Sequence, residues 1–369
     1  MKGPTVALLG LGTVGSAVAR RLLSPPPWLV ARLGGVPRLK WVLVRHPEKP
    51  RAIRVDRSLL TTDPERVLRD PEVDVVIELI GGVEPARRYV SRALDAGRPV
   101  ITANKALLAE SLAELAALAR RRGVELAFEG AVAGGVPIIR PLLRCLAANR
   151  VRRLRAVLNG TCNYVLTRVA QGATLEAAVR AAQEAGYAEA DPSDDLSGRD
   201  AARKLAILAM LVTGEAVDWN RVRRTGLDDP AFRRALEATA SGAQSRSRWR
   251  LVATADWRGA VPSLTVQPEL LPPDDPLLQA AGVENMILIE ADPVGTVRFA
   301  GPGAGGDATA SAVLADLIAV WRGDRLPLPD LDRGALDRVG IAAAPEGPPV
   351  AAAAGEGHGA VAGSRGGSG

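Results

Sequence analysis

The sequence predicts an α/β protein in which a doubly wound parallel sheet is followed by a second, α+β domain. Three observations lead to this fold class. Short apolar strands alternate with helices between residues 5 and 129, a glycine-rich turn follows the first strand, and the alternation stops beyond residue 135. Alternating strands and helices are typical of parallel sheets covered on both faces. At 369 residues, the chain is long enough for two domains with sizeable cores.

The first domain is predicted over residues 1–135. Its strands read as apolar runs without alternation, because a strand inside a parallel sheet is buried on both faces. In chain order we predict a strand at 5–10, a helix at 16–23, a Pro-rich insertion at 25–37, strands at 40–44 and 74–79, a helix at 84–96, a strand at 99–102, a helix at 106–122 and a strand at 125–129. This order favours a doubly wound sheet.

The second domain is predicted over residues 136–302. Helical segments dominate from 138 to 240, and strand-like stretches follow at 248–256, 261–268, 284–291 and 295–300. A final helix is expected at about 307–322. Residues 340–369 are rich in Ala, Gly and Pro with few large apolar side chains, and we expect them to be disordered.

Composition argues against several classes of protein. The net charge of +6 includes arginine clusters at 221–224 and 246–250, but aromatic residues make up only 3% and no nucleic-acid motif surrounds the clusters. We therefore expect a solvated basic surface and no nucleic-acid partner. No apolar run is long enough to span a membrane. Cys145 and Cys162 lack CxxC or metal-ligand spacing, which indicates a reduced, cytoplasmic protein.

Histidine is scarce, and this limits the chemistry. Only His46 and His358 are present, and His358 lies in the low-complexity tail. Ser-His-Asp hydrolysis and histidine-based oxidation of 2-hydroxy acids each need a histidine in a folded site. Proton transfer near neutral pH must therefore use lysine, a carboxylate, tyrosine or water.

A glycine pattern after the first strand indicates a dinucleotide-binding, Rossmann-type domain. Gly10, Gly12 and Gly15 form G-x-G-x-x-G between a predicted strand and a predicted helix. The first glycine permits the tight turn, the second lets the backbone approach a pyrophosphate, and the third lets the helix pack on the strand. A glycine turn without a ligand is the alternative.

The end of the second strand bears on the choice of cofactor. NAD enzymes usually carry Asp or Glu there to hold the ribose 2′-hydroxyl. This chain has Arg45, followed by His46, Lys49 and Arg51. Basic groups suit a 2′-phosphate, so we predict that NADP(H) is favoured and that NAD(H) is also accepted. Ordinary surface charge is the alternative reading.

A helix after residue 196 pairs a carboxylate with an ammonium. Asp200 and Lys204 are four residues apart, so they share one helix face with Leu196 and Leu208. Polar groups in an apolar stripe are expected to be partly desolvated, which can move the pKa of a lysine toward working pH. An exposed ion pair is the alternative.

Together with the glycine turn, a set of short motifs resembles the homoserine dehydrogenase family. The motifs are Ile80-Gly81-Gly82, 102–109 (TANKALLA), 159–164 (NGTCNY), 186–192 (GYAEADP), 301–306 (GPGAGG) and Thr309-Ala310. The resemblance covers about residues 5–323 and is specific through the order of its motifs. It implies reversible NAD(P)H-dependent reduction of L-aspartate 4-semialdehyde to L-homoserine, on the route to threonine and methionine.

The resemblance also implies roles for individual residues. Cofactor contacts are expected from Gly12, Thr13, Val14, Gly81, Lys105 and Gly305, in addition to Gly10, Gly15 and Arg45. Substrate contacts are expected from Gly160, Thr161, Glu189, Asp195 and Asp200, with Glu189 holding the substrate ammonium. Lys204 is the expected proton donor. Lys105 would act as second cation and relay, although it could be a plain helix-start lysine. The two lysines should lower each other's pKa, an effect that Asp200 partly opposes.

A monovalent-cation site, for sodium, is implied as well. It would use Glu129, Val132, Gly134 and Val136, largely through backbone carbonyls. A glycine-rich hinge between the domains is the other reading of this segment, and both can hold.

Segment 303–325 should return to complete the first domain, and a homodimer joined through strands of the second domain is expected. Many bacterial members carry a C-terminal regulatory ACT domain. The tail here shows no amphipathic pattern, so a short form with little threonine feedback is expected. Cys162 should be a packing residue, since no base is evident near it. Two alternatives stay open: an oxidoreductase acting on another semialdehyde, and a non-catalytic dinucleotide-sensing or nucleic-acid-binding protein.

Overall fold

The computed structural model describes residues 2–240, 247–259 and 261–331. Its first sheet has six parallel strands in the order β3-β2-β1-β4-β5-β6. They are β1 (Thr5–Leu9), β2 (Arg38–Leu43), β3 (Leu60–Thr61), β4 (Val75–Glu78), β5 (Val100–Thr102) and β6 (Leu126–Ala127). The predicted doubly wound parallel sheet is confirmed. The strand order reverses between β1 and β4, so a crevice forms at their carboxyl ends.

Five helices accompany this sheet. They are α1 (Thr13–Leu23), α2 (Pro27–Leu33), α3 (Pro64–Leu68), α4 (Ala86–Asp95) and α5 (Lys105–Arg122). The Pro-rich insertion, for which the sequence predicts no element, contains α2. Pro27 can begin a helix because the first turn needs no N–H from it, and Gly34 ends the helix at φ +68°. Leu29 and Leu33 bury the inner face of α2.

The second sheet is mixed, with the order β12-β11-β7-β9-β10-β8. Its strands are β7 (Arg150–Val157), β8 (Arg223–Arg224), β9 (Arg248–Asp256), β10 (Ser263–Leu271), β11 (Glu284–Asp292) and β12 (Gly295–Pro302). Neighbouring strands are antiparallel, except that β8 runs parallel to β10. The four strand-like stretches of the sequence correspond to β9–β12, and the predicted α+β character is confirmed.

The sequence prediction misses β7, which lies inside the region expected to be helical. Its sequence, RVRRLRAV, contains four arginines among apolar residues. Leu154 and Ala156 are buried in the core, whereas Arg155 on the opposite face pairs with Glu269 and Asp275. The strand accommodates four arginines because Arg150 and Arg152 are exposed, whereas the half-buried Arg153 and Arg155 pair with carboxylates.

The remaining helices are α6 (Gly160–Ala170), α7 (Leu175–Glu184), α8 (Ser193–Leu196), α9 (Arg199–Thr213), α10 (Pro230–Ala240) and α11 (Gly306–Trp321). Helices α6 and α9 pack against β9, while α11 lies beside α1. Val313 and Leu317 of α11 are fully buried in one cluster with Leu8 and Val18 of the first sheet layer. Helix α5 also contacts α9, so a single apolar core continues from one sheet to the other.

Within the described residues, no helix is long and apolar enough to cross a membrane. The disorder predicted for residues 340–369 concerns a segment that lies outside the described residues.

Candidate active site

A cavity of about 740 Å³ opens where β1, β2 and β4 end. Its lining includes four residues predicted to bind the cofactor, namely Gly10, Gly12, Thr13 and Arg45. Val14 and Gly15 belong to the first turn of α1, next to this lining. On the β4 side it is Ile80, rather than the predicted Gly81, that lines the cavity.

The three glycines of the turn have distinct environments. Gly10 has φ +100°, and a Cβ there would press on the backbone of Leu79. A Cβ on Gly15 would overlap the carbonyl oxygen of Gly10, so this glycine lets α1 approach the turn. A Cβ on Gly12 would meet nothing within 4 Å, and no side chain caps α1. The open backbone and uncapped helix start fit a pyrophosphate group.

Basic side chains line the far end of this cavity. Arg45 is exposed, and no ion-pair partner for it occurs in the part of the chain that the structure describes. His46 and Lys49 also line the cavity and are exposed. Arg51 is engaged differently, because its guanidinium donates to the carbonyls of His46, Pro47 and Lys49. Arg51 therefore shapes the loop, and Arg45 and Lys49 are the cations left to face a ligand.

A second cavity, of about 480 Å³, lies between the two sheets. Residues from both halves of the chain line it. The structure brings together eight predicted site residues here: Lys105, Gly160, Thr161, Glu189, Asp195, Asp200, Lys204 and Gly305. The start of α11 connects the two cavities, since a Cβ on Gly306 would lie 3.2 Å from the carbonyl oxygen of Thr13.

Two lysines share one buried carboxylate in this second cavity. Lys204 Nζ lies 2.7 Å from Asp200 Oδ2 and also donates to the carbonyl of Leu158 at 2.8 Å. Lys105 Nζ lies 3.1 Å from Asp200 Oδ1. The Asp200 and Lys204 side chains are 7% and 10% exposed, so the alternative of an exposed surface pair is wrong. Lys105, at 39% exposure, is the lysine that can reach solvent.

The charges in this cluster move pKa values in opposite directions. Burial opposes the ionisation of Asp200, but the positive charges of Lys204 and Lys105 outweigh it and hold the pKa of Asp200 well below its usual range. Attraction to Asp200, which exceeds the cost of burial, raises the pKa of Lys105. The expected lowering of the Lys105 pKa by a neighbouring lysine is therefore wrong, because Asp200 is closer and of opposite sign.

Local sequence explains how the lysines reach this point. Asn104 caps α5 by accepting the N–H of Leu107 at 3.1 Å, so Lys105 is the first helical residue after β5. Gly198, at φ +75°, separates α8 from α9. Leu196 therefore belongs to α8 and not to the stripe of Asp200 and Lys204, contrary to the continuous helix face expected from spacing.

Asn159 organises the acidic side of the cavity. Its Nδ2 donates to Asp195 Oδ1 at 2.7 Å and to Asp200 Oδ2 at 2.9 Å, while its Oδ1 caps α6. Burial, and next the repulsion from Asp200, raises the pKa of Asp195. Thr161 donates to the carbonyl of Tyr187 at 2.7 Å. Glu189 is exposed at the cavity edge, where its carboxylate can meet a ligand.

Cys162 lies close to this cluster without joining it. Its side chain is fully buried, and Sγ donates to the carbonyl of Asp195 at 3.2 Å. Burial, followed by the nearby carboxylates, raises the pKa of the thiol well above its ordinary value. A thiol that resists ionisation is a poor nucleophile, which agrees with a packing role.

The glycine-rich segment after β6 has unusual backbone chemistry. Glu129 is buried, and its carboxylate accepts the N–H groups of Ile138, Ile139 and Arg140 at 2.6, 2.7 and 2.9 Å. The other three residues of the expected cation site, Val132, Gly134 and Val136, are buried too. No donor among the described residues reaches their carbonyl oxygens. No group of three or more His, Cys, Asp or Glu side chains in that part of the chain could hold a metal. Unused carbonyls fit a hard monovalent cation.

Sequence reasoning missed two residues of this region. Asn159 begins the motif at residues 159–164, and an asparagine before a helix start is a signal for a capping residue. Glu78 ends the otherwise apolar β4 and is fully buried. A lone glutamate in such a strand is the signal that could have identified it.

The fold and the site define a nicotinamide-dependent oxidoreductase, because a Rossmann-type crevice lies next to a cavity lined by two lysines. Among the described residues, no histidine lines this second cavity. The family profile for the homoserine dehydrogenase NAD binding domain matches residues 10–129, and the homoserine dehydrogenase profile matches residues 137–318. The chain belongs to the homoserine dehydrogenase family.

Relatives agree with this assignment. Homoserine dehydrogenase of Bacillus subtilis is 39% identical over 332 residues, covering 88% of this chain and 75% of the relative. The Mycobacterium leprae enzyme is 41% identical over 320 residues, covering 86% and 72%. The crystal structure of a homoserine dehydrogenase from Thiobacillus denitrificans superimposes with a TM-score of 0.78 at 37% identity, covering 87% and 74%. A hyperthermophilic archaeal homoserine dehydrogenase in complex with NADPH gives 0.73 at 26% identity, covering 89% and 100%.

Proposed function

We propose that this protein catalyses the reversible NAD(P)H-dependent reduction of L-aspartate 4-semialdehyde to L-homoserine, a step toward threonine and methionine. The observation that carries the proposal is the pair of lysines, one from each half of the molecule, on the single buried carboxylate of Asp200. The family assignment defines the reaction class, and this geometry supplies the chemistry for it.

The two lysines can stabilise charge and deliver a proton. When bound, the dihydronicotinamide supplies the hydride that reaches the aldehyde carbon. The carbonyl oxygen then gains negative charge, which a nearby ammonium stabilises before giving up its proton. Lys204 is the proposed donor, because Asp200 and the Leu158 carbonyl fix its Nζ. Lys105 is the proposed second cation, and its partial exposure suits proton exchange with water.

The acidic side of the cavity is proposed to hold the substrate. Glu189 would pair with the substrate ammonium, assisted by Asp195 and Asp200. Gly160 and Thr161 begin α6 beside these carboxylates, and a Cβ at Gly160 would press on the backbone of Val283. Fixing the amino-acid end of the substrate places its aldehyde near the lysines and the cofactor.

We propose that the first cavity takes NADP(H) in preference to NAD(H). The glycine turn and the uncapped α1 suit the pyrophosphate, with Gly81 and Gly305 as further cofactor contacts. Arg45 and Lys49 provide the positive charge that a 2′-phosphate requires, at a position where a carboxylate would select NAD(H).

A sodium ion is the proposed occupant of the segment around Glu129, held by carbonyls of Val132, Gly134 and Val136.

We also propose a dinucleotide-binding domain of residues 1–135 completed by 303–325, and a catalytic and dimerisation domain of residues 136–302 that forms a homodimer. Both cysteines are free, which supports a reduced cytoplasmic setting.

The test is a substrate panel with the purified protein and NADPH. Aspartate 4-semialdehyde should be reduced, whereas other semialdehydes should react far more slowly. Lys204→Ala should lower kcat by about a thousandfold, since proton donation and oxyanion stabilisation are both lost. Its NADPH affinity should stay within about twofold of wild type, because Lys204 lies outside the first cavity. Absence of turnover by the wild-type protein would refute the proposal.

A further inference from the structure

A fully buried carboxylate at the end of β4 takes no part in the chemistry proposed above. Oε1 of Glu78 accepts the N–H of Ile80 at 2.7 Å, and those of Gly81 and Asn104 Nδ2 at 3.4 Å. Oε2 accepts the hydroxyl of Thr102 at 2.6 Å. All four donors are neutral. Burying a carboxyl group is costly unless its hydrogen bonds are satisfied, so this network is an expensive feature to keep.

Asn104 extends the network in two directions. Its Nδ2 also donates to the carbonyl of Gly82 at 2.7 Å. Its Oδ1 caps α5 through the N–H of Leu107 at 3.1 Å, and its own N–H donates to the Thr102 hydroxyl oxygen at 3.0 Å. The loop at residues 80–82 and the first turn of α5 are thus joined by one set of hydrogen bonds, with Glu78 at its centre.

The two segments joined in this way follow the neighbouring strands β4 and β5. Gly81 and Gly82 have φ values of +80° and +71°, so the loop has a backbone conformation that few other residues adopt. Lys105 is the residue that directly follows Asn104, and it reaches across to Asp200. A shift between the loop and α5 would therefore move the cofactor relative to the lysines.

We propose that Glu78 and Asn104 are positioning residues that fix the cofactor-binding loop at residues 80–82 against the helix start that carries Lys105. This inference rests on the proposed function, because it assumes that the cofactor passes this loop and that Lys105 acts on the substrate. Neither residue touches the substrate in this scheme. Both act through the backbone they hold.

Asn104→Asp is the most selective variant. Aspartate keeps the helix cap on Leu107, since it is as good a capping residue as asparagine. It removes the donor to Glu78 and Gly82 and places a second carboxyl beside Glu78. We expect the Kd for NADPH, measured by fluorescence titration, to rise about tenfold and kcat to fall about tenfold. Glu110→Gln, an exposed change on the same helix, should leave both within about twofold of wild type.

The pH dependence of Asn104→Asp provides a second readout. Two adjacent carboxyls raise the pKa of one of them, and the proton then restores a donor between residues 78 and 104. Apart from Glu78 itself, no charged side chain among the described residues hydrogen-bonds to either position in the wild type. The NADPH defect should therefore be largest near about pH 8 and shrink toward about pH 6, a trend that a simple packing defect would not produce.

Glu78→Gln serves as a milder variant in case Asn104→Asp folds poorly. It keeps an acceptor for Ile80 and loses the one for Thr102, so smaller changes in the same direction are expected. If both variants bind NADPH and turn over like wild type while only their melting temperatures fall, the inference is wrong. Should the wild-type protein fail to reduce aspartate semialdehyde, the proposed function fails, and the NADPH titrations still decide whether Glu78 and Asn104 position the loop.

Discussion

Asp200 determines how the two lysines can work. Its carboxylate contacts Lys105 and Lys204 with different oxygens, and it also accepts a hydrogen bond from Asn159. The negative charge of Asp200 lies between the Nζ atoms of Lys105 and Lys204 and attracts both of them. The raised pKa of Lys105 follows directly from this arrangement. In the proposed reaction, Lys105 therefore holds its proton close to the oxygen that becomes an alkoxide.

Removing this charge should change the pH profile of the reduction. The pKa of Lys105 is raised chiefly by Asp200, so Asp200→Asn should lower it and move the alkaline limb of kcat to lower pH. The variant should also lose about 3 kcal/mol of unfolding free energy at neutral pH, because the buried Nζ of Lys204 loses its charged partner. Rate profiles from pH 6 to 10 and urea unfolding measure both effects. In Asp194→Asn, which loses a pairing with Arg203, the limb should stay in place; an unmoved limb in Asp200→Asn would contradict this account.

Arg45 is the residue on which cofactor selection should depend. Arg45→Asp removes the cation proposed for the 2′-phosphate and introduces the carboxylate that suits a ribose hydroxyl. We expect KM for NADPH to rise about thirtyfold while KM for NADH changes by less than about threefold, since a charged hydrogen bond contributes about 2 kcal/mol. Arg54→Asp makes the same charge change at an exposed site that does not line the cavity. Equal losses for the two cofactors would remove the assignment.

In the turn from β1 into α1, one glycine is required by the fold and another leaves room for a ligand. Gly15 is needed for the fold, because a side chain there would collide with the Gly10 carbonyl. Gly12 is not needed for the fold, since its φ is −79° and space surrounds its Cα. What Gly12 leaves open is the approach to the helix start, which only a ligand uses.

Two alanine substitutions should separate these requirements. Gly15→Ala should lower the unfolding free energy by about 1–3 kcal/mol, because the helix must move away from the strand. Gly12→Ala should leave stability within about 0.5 kcal/mol of wild type but weaken NADPH binding at least about tenfold, since the new methyl faces the crevice. Thermal unfolding and NADPH titration of both variants test this. A Gly15→Ala protein as stable as wild type would contradict the structural role of Gly15. A Gly12→Ala protein with normal NADPH affinity would contradict the ligand-binding role of Gly12.

Some elements of the fold could be predicted from the sequence, and others could not. Strands buried on both faces, such as β4 with its apolar run Val75-Val76-Ile77, were predictable, as were the motifs that meet in the second cavity. Strand β7 was not, because its arginines are compensated by Glu269, Asp275 and Glu290 from strands and loops far along the chain. The pKa of Lys105 was mispredicted for the same kind of reason. Which charge lies closest is decided by tertiary contacts that spacing does not contain.

At the scale of the whole molecule, the two sheets are tied together by carboxylates. Glu129, just after β6, accepts three N–H groups of residues 138–140, at the point where the chain enters the second half. Asp316 of α11 accepts the N–H of Glu129 at 2.8 Å. Burial raises the pKa of Asp316 to about 7, which Arg140 beside it partly opposes. The crossing segment is therefore fixed from both of its sides.

Glu129→Gln should loosen this crossing. Three N–H groups would lose a charged acceptor, which should cost about 2 kcal/mol of unfolding free energy. If sodium binds the free carbonyls, the wild-type protein should melt at a higher temperature in sodium chloride than in tetramethylammonium chloride, and the variant should lose most of this difference. Glu125→Gln, a charge change four residues away, should keep the sodium response. Identical wild-type melting in the two salts would argue against a cation here.

The position of α11 in the chain has a consequence for biosynthesis. Its buried residues Val313 and Leu317 cover Leu8 and Val18, which are made about three hundred residues earlier. At typical elongation rates, roughly ten to forty seconds pass on the ribosome between the emergence of β6 and that of α11. Throughout that interval the nascent amino-terminal sheet exposes the apolar residues that α11 later covers. A nascent chain with such an exposed apolar surface is prone to aggregate until α11 has been made.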